Sequence, residues 1–150
     1  WHITLVSLSY MTIEALHAVD ELKKIGITCD LIDLRSTSPL DSDTVIKSVN
    51  KTGRLLAIDS ASESFSVASE IIARVSMASH DQLKCHPDRI ALADAPSPTS
   101  FGLTDKYYIG AKDIALRVLK ILGVDVKINS KNFTKKHPHD VPGDWFKGPF

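Results

Sequence analysis

Short β-branched apolar runs alternate along this chain with longer stretches whose apolar residues recur every three or four positions. Ile3 to Leu8 is such a run and reads as a buried strand. Thr12 then offers a cap, and behind it Ile13, Leu16, Val19 and Leu22 recur at helical spacing. Glu14, His17, Asp20, Glu21, Lys23 and Lys24 fall on the opposite, polar face, and Gly26 stops the helix. Ile27 to Leu34 is a second strand. Ser38-Pro39-Leu40-Asp41 breaks the pattern, after which Asp41 or Ser42 caps a helix carrying Val45, Ile46 and Val49, closed by Gly53. Arg54 to Ile58 is a third strand, and Ser64 or Ser66 starts a helix with Val67, Ile71, Ile72 and Val75 inward. A short fourth strand covers Arg89 to Leu92, and Pro96-Ser97-Pro98-Thr99-Ser100 is a rigid extended loop. The last helix spans Ala111 to Leu122, with Ile114, Val118, Ile121 and Leu122 facing the core and Gly123 ending it.

This alternation predicts an α/β fold: a three-layer α/β/α sandwich around a mostly parallel sheet of about five strands. The domain is expected over residues 1–123. Residues 124–150 carry Lys127, Lys131, Lys135, Lys136 and Lys147 with three prolines and no sustained period, so they read as an extended or disordered tail. Phe133, Trp145, Phe146 and Phe150 make docking on a neighbouring surface the alternative for that tail.

At 150 residues the chain fits one domain, which typically buries roughly 68–70% of its unfolded surface. Eighteen basic residues balance eighteen acidic ones, so charge gives no reason to expect nucleic acid or an anionic membrane as partner. No apolar stretch approaches the ~20 residues of a membrane helix. Cys29 and Cys85 are too few for a disulfide framework and read as two reduced thiols. The opening Trp-His-Ile-Thr-Leu-Val reads as strand, without an initiator Met, as in a chain cut from something larger.

The search for chemistry returns little. There is no G-x-G-x-x-G, no P-loop and no Gly-x-Ser-x-Gly elbow. Ligands of open α/β sheets bind beyond the carboxyl ends of the strands, here the loops Ser7–Tyr10, Asp33–Ser38, Asp59–Phe65 and Asp94–Ser100. Three of them begin with Asp, whose usual role is to cap a turn. The helix after Asp59–Phe65 begins in a Ser-rich segment whose N–H groups can receive an anion, a weak signal shared by any such helix. His80, Asp81, His86 and Asp88 cluster without a recognised ligand spacing, as do His137, His139 and Asp140. No residue is therefore assigned as catalytic, cofactor-binding or metal-ligating.

One segment says more. Asp30 to Ile58 contains Asp33-Leu34-Arg35, Ser38-Pro39-Leu40-Asp41 and Ser48-Val49-Asn50-Lys51-Thr52-Gly53-Arg54-Leu55-Leu56. This resembles the V-I-D-L-R-T-L-x-P-L-D … S-V-x-K-T-G-R-L-L segment of the transketolase carboxyl-terminal domain, most like that of the beta subunit of 2-oxo acid dehydrogenases (pyruvate, branched-chain or acetoin). Further matches are Glu70-Ile71-Ile72-Ala73, the proline loop, Tyr107-Tyr108 and Lys112-Asp113-Ile114, so the resemblance covers about residues 3–122. On the residues themselves, Arg35 can clamp Asp33 or Asp41, Leu40 pins its loop to the core, and Asp41 caps a helix, all scaffold roles.

The resemblance implies an assembly and subunit-closing domain. Thiamine diphosphate and magnesium belong to other domains of the full enzyme, and the Gly-Asp-Gly motif that holds them is absent here. It also implies an alpha subunit and a second beta subunit as partners, an acyltransferase core as a further one, and a cytoplasmic or mitochondrial-matrix setting. The full enzyme would decarboxylate a 2-oxo acid and pass the acyl fragment to lipoamide, whereas this piece alone would be inactive. The alternatives are the same domain in a transketolase or deoxyxylulose-phosphate synthase, or a non-enzymatic interaction module. The sequence departs from the family where a Gly-rich run is usual: Ser64-Phe65-Ser66-Val67-Ala68-Ser69 stands there. It departs again where Asp59-Ser60 follows the third strand and Leu103-Thr104 follows the proline loop.

Overall fold

In the computed structural model, which describes residues 1–133, four strands form one parallel sheet in the order β2-β1-β3-β4. They are β1 (Ile3–Leu8), β2 (Cys29–Leu34), β3 (Leu55–Ser62) and β4 (Asp88–Leu92). The helices between and after them are α1 (Met11–Lys24), α2 (Ser42–Thr52), α3 (Val67–Ala78), α4 (Phe101–Tyr107) and α5 (Ala111–Leu122). Alternation along the strands sorts the core into two halves. Ile3, Leu5, Leu56 and Ile58 face α1 and α5, whereas Val6, Leu55 and Ala57 face α2 and α3. The predicted sandwich is present, with four strands among the described residues where about five were expected. Among the described residues after Gly123 no strand forms: Val124 and Val126 stand exposed, and Ile128 and Phe133 pack on the core. The expectations for residues 134–150, with their aromatic and histidine clusters, lie outside the described residues.

The turns follow the expected chemistry. Asp41 caps α2: its Oδ1 accepts from the Thr44 amide at 3.1 Å and its Oδ2 from the Thr44 hydroxyl at 2.7 Å. Gly53 ends the same helix at φ +75°, in the left-handed region that glycine tolerates best. Ser66 caps α3, accepting from Ser69 N. Leu40 is half-buried against the α2/α3 core, as its expected pinning role requires.

Three boundaries differ from the periodic reading. α1 begins at Met11 without a side-chain cap, because the Thr12 hydroxyl is engaged by Ser7 and Asp33. Its buried stripe is Met11, Glu14, Ala15, Ala18 and Leu22, so Leu16 is exposed and Glu14 lies inside. α4 forms directly after the proline loop, over residues to which the periodicity assigns no element.

The capping pattern fixes a pH dependence. The Thr44 side chain and then its amide hold the Asp41 carboxyl below its ordinary value of 3.8, and the Ser64 side chain and amide do the same for Asp94. A depressed folded value means a stabilisation present above the ordinary carboxylate range and lost as pH falls through the folded value. The unfolding temperature should therefore fall below about pH 4. In Asp41→Asn, which still caps but cannot titrate, that fall should be shallower, with little change at pH 7; an unaltered acid limb would disprove the role.

Candidate functional site

The reversal of strand order between β1 and β3 places a topological switch point at the carboxyl edge of the sheet, where ligands of such folds bind. At β1 and β2 the groups there form one chain. Ser7, fully buried, lies 3.0 Å from the Thr12 hydroxyl, which donates to Asp33 Oδ1 at 2.9 Å. Arg35 Nε donates to Asp33 Oδ2 at 3.0 Å. Arg35 thus pairs with Asp33, one of its two expected partners, but its side chain is 87% exposed and the pair adds little stability.

Beyond β3, Asp59 is buried where the β3–β4 register shifts, and it accepts from the amides of Ala61 (3.0 Å) and Ala68 (3.2 Å). Asp94, after β4, accepts from the Ser64 amide at 2.9 Å and from its hydroxyl, tying two loops together. All three loop aspartates are thus spent on turns or local contacts, the bland role their position suggested. Two residues without a glycine's freedom hold left-handed backbone at this edge, Ser9 (φ +54°) and Phe65 (φ +55°). Phe65 is also fully exposed, and nothing in its sequence context marks it as such.

A second polar feature joins α1 to α5. Glu14, only 4% exposed, accepts from the Ala111 amide at 2.8 Å, so a buried carboxylate sits on the amino terminus of α5. Asp113 of α5 accepts from the Gly110 amide at 2.9 Å. Burial chiefly, then the charge of Glu14 and the neighbouring Tyr108, push the Tyr10 hydroxyl above its ordinary value. Leucine periodicity hid Glu14. Ala15 and Ala18, spaced with Met11 and Leu22, carry the true inner stripe, and Glu14 belongs to it.

At the amino edge, hydroxyls form a buried ladder. Thr4 Oγ1 lies 2.8 Å from both Ser48 Oγ and Thr52 Oγ1, and Ser48 donates to Asp30 Oδ2 at 2.7 Å. His80, Asp81, His86 and Asp88 do not combine into a metal site: among the described residues no three His, Cys, Asp or Glu side chains could hold an ion together. Asp88 pairs with Arg117 at 3.1 Å instead. An apolar crease lined by Leu40, Ser42, Val45, Ile71, Arg74 and Val75 leaves no room even for a water molecule and is no ligand pocket.

Burial pushes the Cys29 thiol up to about 11, so it stays protonated near neutrality. A maleimide applied to the folded protein at pH 7.5 should label half-buried Cys85 and leave Cys29 unmodified until denaturant is added. Two fast labels on the native chain would contradict the fold.

The family cofactor needs a diphosphate cradle and oxygen ligands for magnesium. The amino termini of α2, α3 and α5 carry their own acceptors: Asp41, Ser66 with Asp59, and Glu14 with Asp113. α1 has no side-chain cap, but it follows a turn, Ser7 to Tyr10, without the glycines a diphosphate cradle uses. Among the described residues no three His, Cys, Asp or Glu side chains could hold an ion. The described residues do not fit the group.

The result is a doubly wound α/β domain whose sheet-end polar groups hold its own loops and helices together. Residues 2–114 match the family model described as "Transketolase, C-terminal domain", and the chain belongs to that family. It is 37% identical over 120 residues to the acetoin:2,6-dichlorophenolindophenol oxidoreductase subunit beta of Cupriavidus necator, a match covering 80% of this chain and 36% of that one. It is 43% identical over 97 residues to the mitochondrial pyruvate dehydrogenase E1 component subunit beta of Chaetomium thermophilum, covering 64% and 25%. The chain thus spans about a third or less of the length of these relatives. Among solved structures, a split-gene transketolase, an inactive beta4 tetramer, superposes with TM-score 0.65 at 24% identity, over 83% of this chain and 39% of that one. That likeness is one of fold. Among the described residues no helix is long and apolar enough to cross a membrane.

Proposed function

We propose that this chain is the carboxyl-terminal, assembly and subunit-closing domain of a thiamine-diphosphate-dependent 2-oxo acid dehydrogenase beta subunit. The observation that carries the reading is the self-capped sheet edge, joined to family membership and to relatives that are beta subunits of pyruvate and acetoin enzymes. A domain that spends its helix termini and loop carboxylates internally contributes rigidity and surface, and leaves the reaction to its neighbours. When bound by those neighbours, thiamine diphosphate supplies the carbanion chemistry by which a 2-oxo acid loses carbon dioxide. An alpha subunit and a second beta subunit complete the enzyme, and an acyltransferase core receives the acyl fragment.

What this chain's residues do is hold shape. The two half-cores clamp the sheet between helix pairs. Glu14 fastens α5 to α1, and Asp94 locks the β3 loop to the β4 loop. The test is an assay of the full-length protein carrying this domain, with an alpha partner, thiamine diphosphate, magnesium and a dye acceptor. Oxidative decarboxylation of a 2-oxo acid is expected, together with no calorimetric thiamine diphosphate binding by the 150-residue chain alone. Inactivity toward every 2-oxo acid with activity on a ketose phosphate would move the chain to the transketolase reading, and tight cofactor binding by the chain alone would overturn both.

A further inference from the structure

At the amino edge of the sheet, β1 and β2 stay tied one step beyond their paired residues, where His2 lies opposite Thr28. The His2 amide donates to the Thr28 carbonyl at 2.8 Å. The Thr28 amide, at the very start of the ladder, needs an acceptor of its own. The His2 ring supplies it, accepting from Thr28 N–H through Nδ1 at 3.0 Å. The Thr28 hydroxyl oxygen lies 3.0 Å from the same ring nitrogen. A ring nitrogen accepts only while it carries no proton, so the bond to the amide belongs to the neutral imidazole with its hydrogen on Nε2. A ring holding two protons must donate from Nδ1, and the Thr28 hydroxyl oxygen stands where that proton can go. One imidazole thus has two partners within reach, each suited to one protonation state.

The neighbouring charges favour the switch. Arg54, just before β3, reaches the His2 carbonyl through a guanidinium nitrogen at 3.4 Å, and Lys51 of α2 sits 5.0 Å from the centre of the Trp1 ring. Asp30, two positions along β2 from Thr28 and so on the same face, is already engaged by Ser48. A charge gained by the ring therefore joins two cations, while the carboxylate beside them is occupied. We propose that His2 is a pH-operated clasp on the residues leading into β1. The neutral ring locks them to the start of β2; the protonated ring releases the Thr28 amide and turns to its hydroxyl. The clasp is closed above the range in which histidines take up a proton and opens as pH falls through it. His2 is exposed, so water delivers that proton without any opening of the fold. The backbone bond from His2 to Thr28 survives, so the strand keeps its register while Trp1 and His2 gain freedom. The clasp is independent of the subunit reading.

Nuclear magnetic resonance on the isotope-labelled 150-residue chain tests it. At about pH 8 a coupling across the hydrogen bond should connect Thr28 N with His2 Nδ1, and it should be lost by about pH 5. Over the same range the Thr28 amide should lose roughly tenfold in protection from exchange, after correction for intrinsic rates. The amides of Leu5 and Leu56, inside the sheet, should change little. His2→Asn offers an amide oxygen near the Nδ1 position and does not titrate, so its Thr28 amide should stay protected at both pH values. That variant shares every other titrating group with the wild type, and a common pH response would place the cause elsewhere. Absence of the coupling at the higher pH would overturn the proposal. So would protection of Thr28 that ignores pH in the wild type, or that falls equally in His2→Asn.

Discussion

Leu56→Ala should lower the stability of the domain by about 4 kcal/mol, the largest loss expected from a single truncation here. Leu56 lies on β3, paired to β1 on one side and β4 on the other, with no measurable exposure. Its side chain enters the half-core shared by Ile3, Leu5, Ile58 and Ile114. The central strand cannot shift to fill the space without breaking two ladders, so most of the cavity would persist. Leu16→Ala is the natural comparison, since this leucine is 45% exposed on the outer side of α1 and should cost within about 0.5 kcal/mol. Urea unfolding would read both as shifts in midpoint at unchanged slope. Equal losses would mean that α1 is turned the way leucine spacing suggests and not the way the structure shows.

Glu14→Ala should cost about 3 kcal/mol, because it removes a charge-assisted bond and strands a buried amide. The carboxylate is the acceptor of the Ala111 N–H, and a Cβ added at Gly110 would lie 3.7 Å from Glu14 Oε2. Glu14→Gln keeps an acceptor oxygen of the same reach and should lose only about 1 kcal/mol. Hydrogen exchange gives the sharper readout. In the alanine variant the amide of Ala111 should exchange faster, while β1 and β3 amides follow global unfolding alone. Unchanged protection of that amide would show that Glu14 is packing and not a clasp.

The difference between these two positions shows what was legible in the sequence. α5 was readable to the residue, from Ala111 to Leu122 with Gly123 after it, because its inner positions are large and its stop is a glycine. Asp41 was readable as a cap, and the start of α3 to within Ser64 or Ser66, because short polar side chains in those places have one main use. The inner face of α1 was not, since close packing against α5 uses Ala15, Ala18, Ala111 and Ala115, and alanine carries no period that hydrophobicity can see. Four strand runs were visible, yet the layout called for a fifth that the described chain does not form. The loop aspartates make the turn and local contacts expected of them, whereas Phe65 was invisible because its backbone angle belongs to glycine and its letter does not.

The amino-edge ladder of Thr4, Ser48, Thr52 and Asp30 has a directional consequence. Ser48 gives its only proton to a carboxylate, so Thr4 must point its own proton at Ser48 and has none left for Thr52. Thr52 in turn chooses between Thr4 and the carbonyl of Arg54. Asp30 thus settles the orientation of Ser48 and Ser48 that of Thr4, while Thr52 keeps two choices. Valine at Thr4 would leave Ser48 without the proton it accepts, although Ser48 keeps Asp30 and Thr52 keeps the Arg54 backbone, so Thr4 and Ser48 are the pair that change best together. Lineages diverging at this edge should therefore change that pair in concert, and an isolated change there should be scarce.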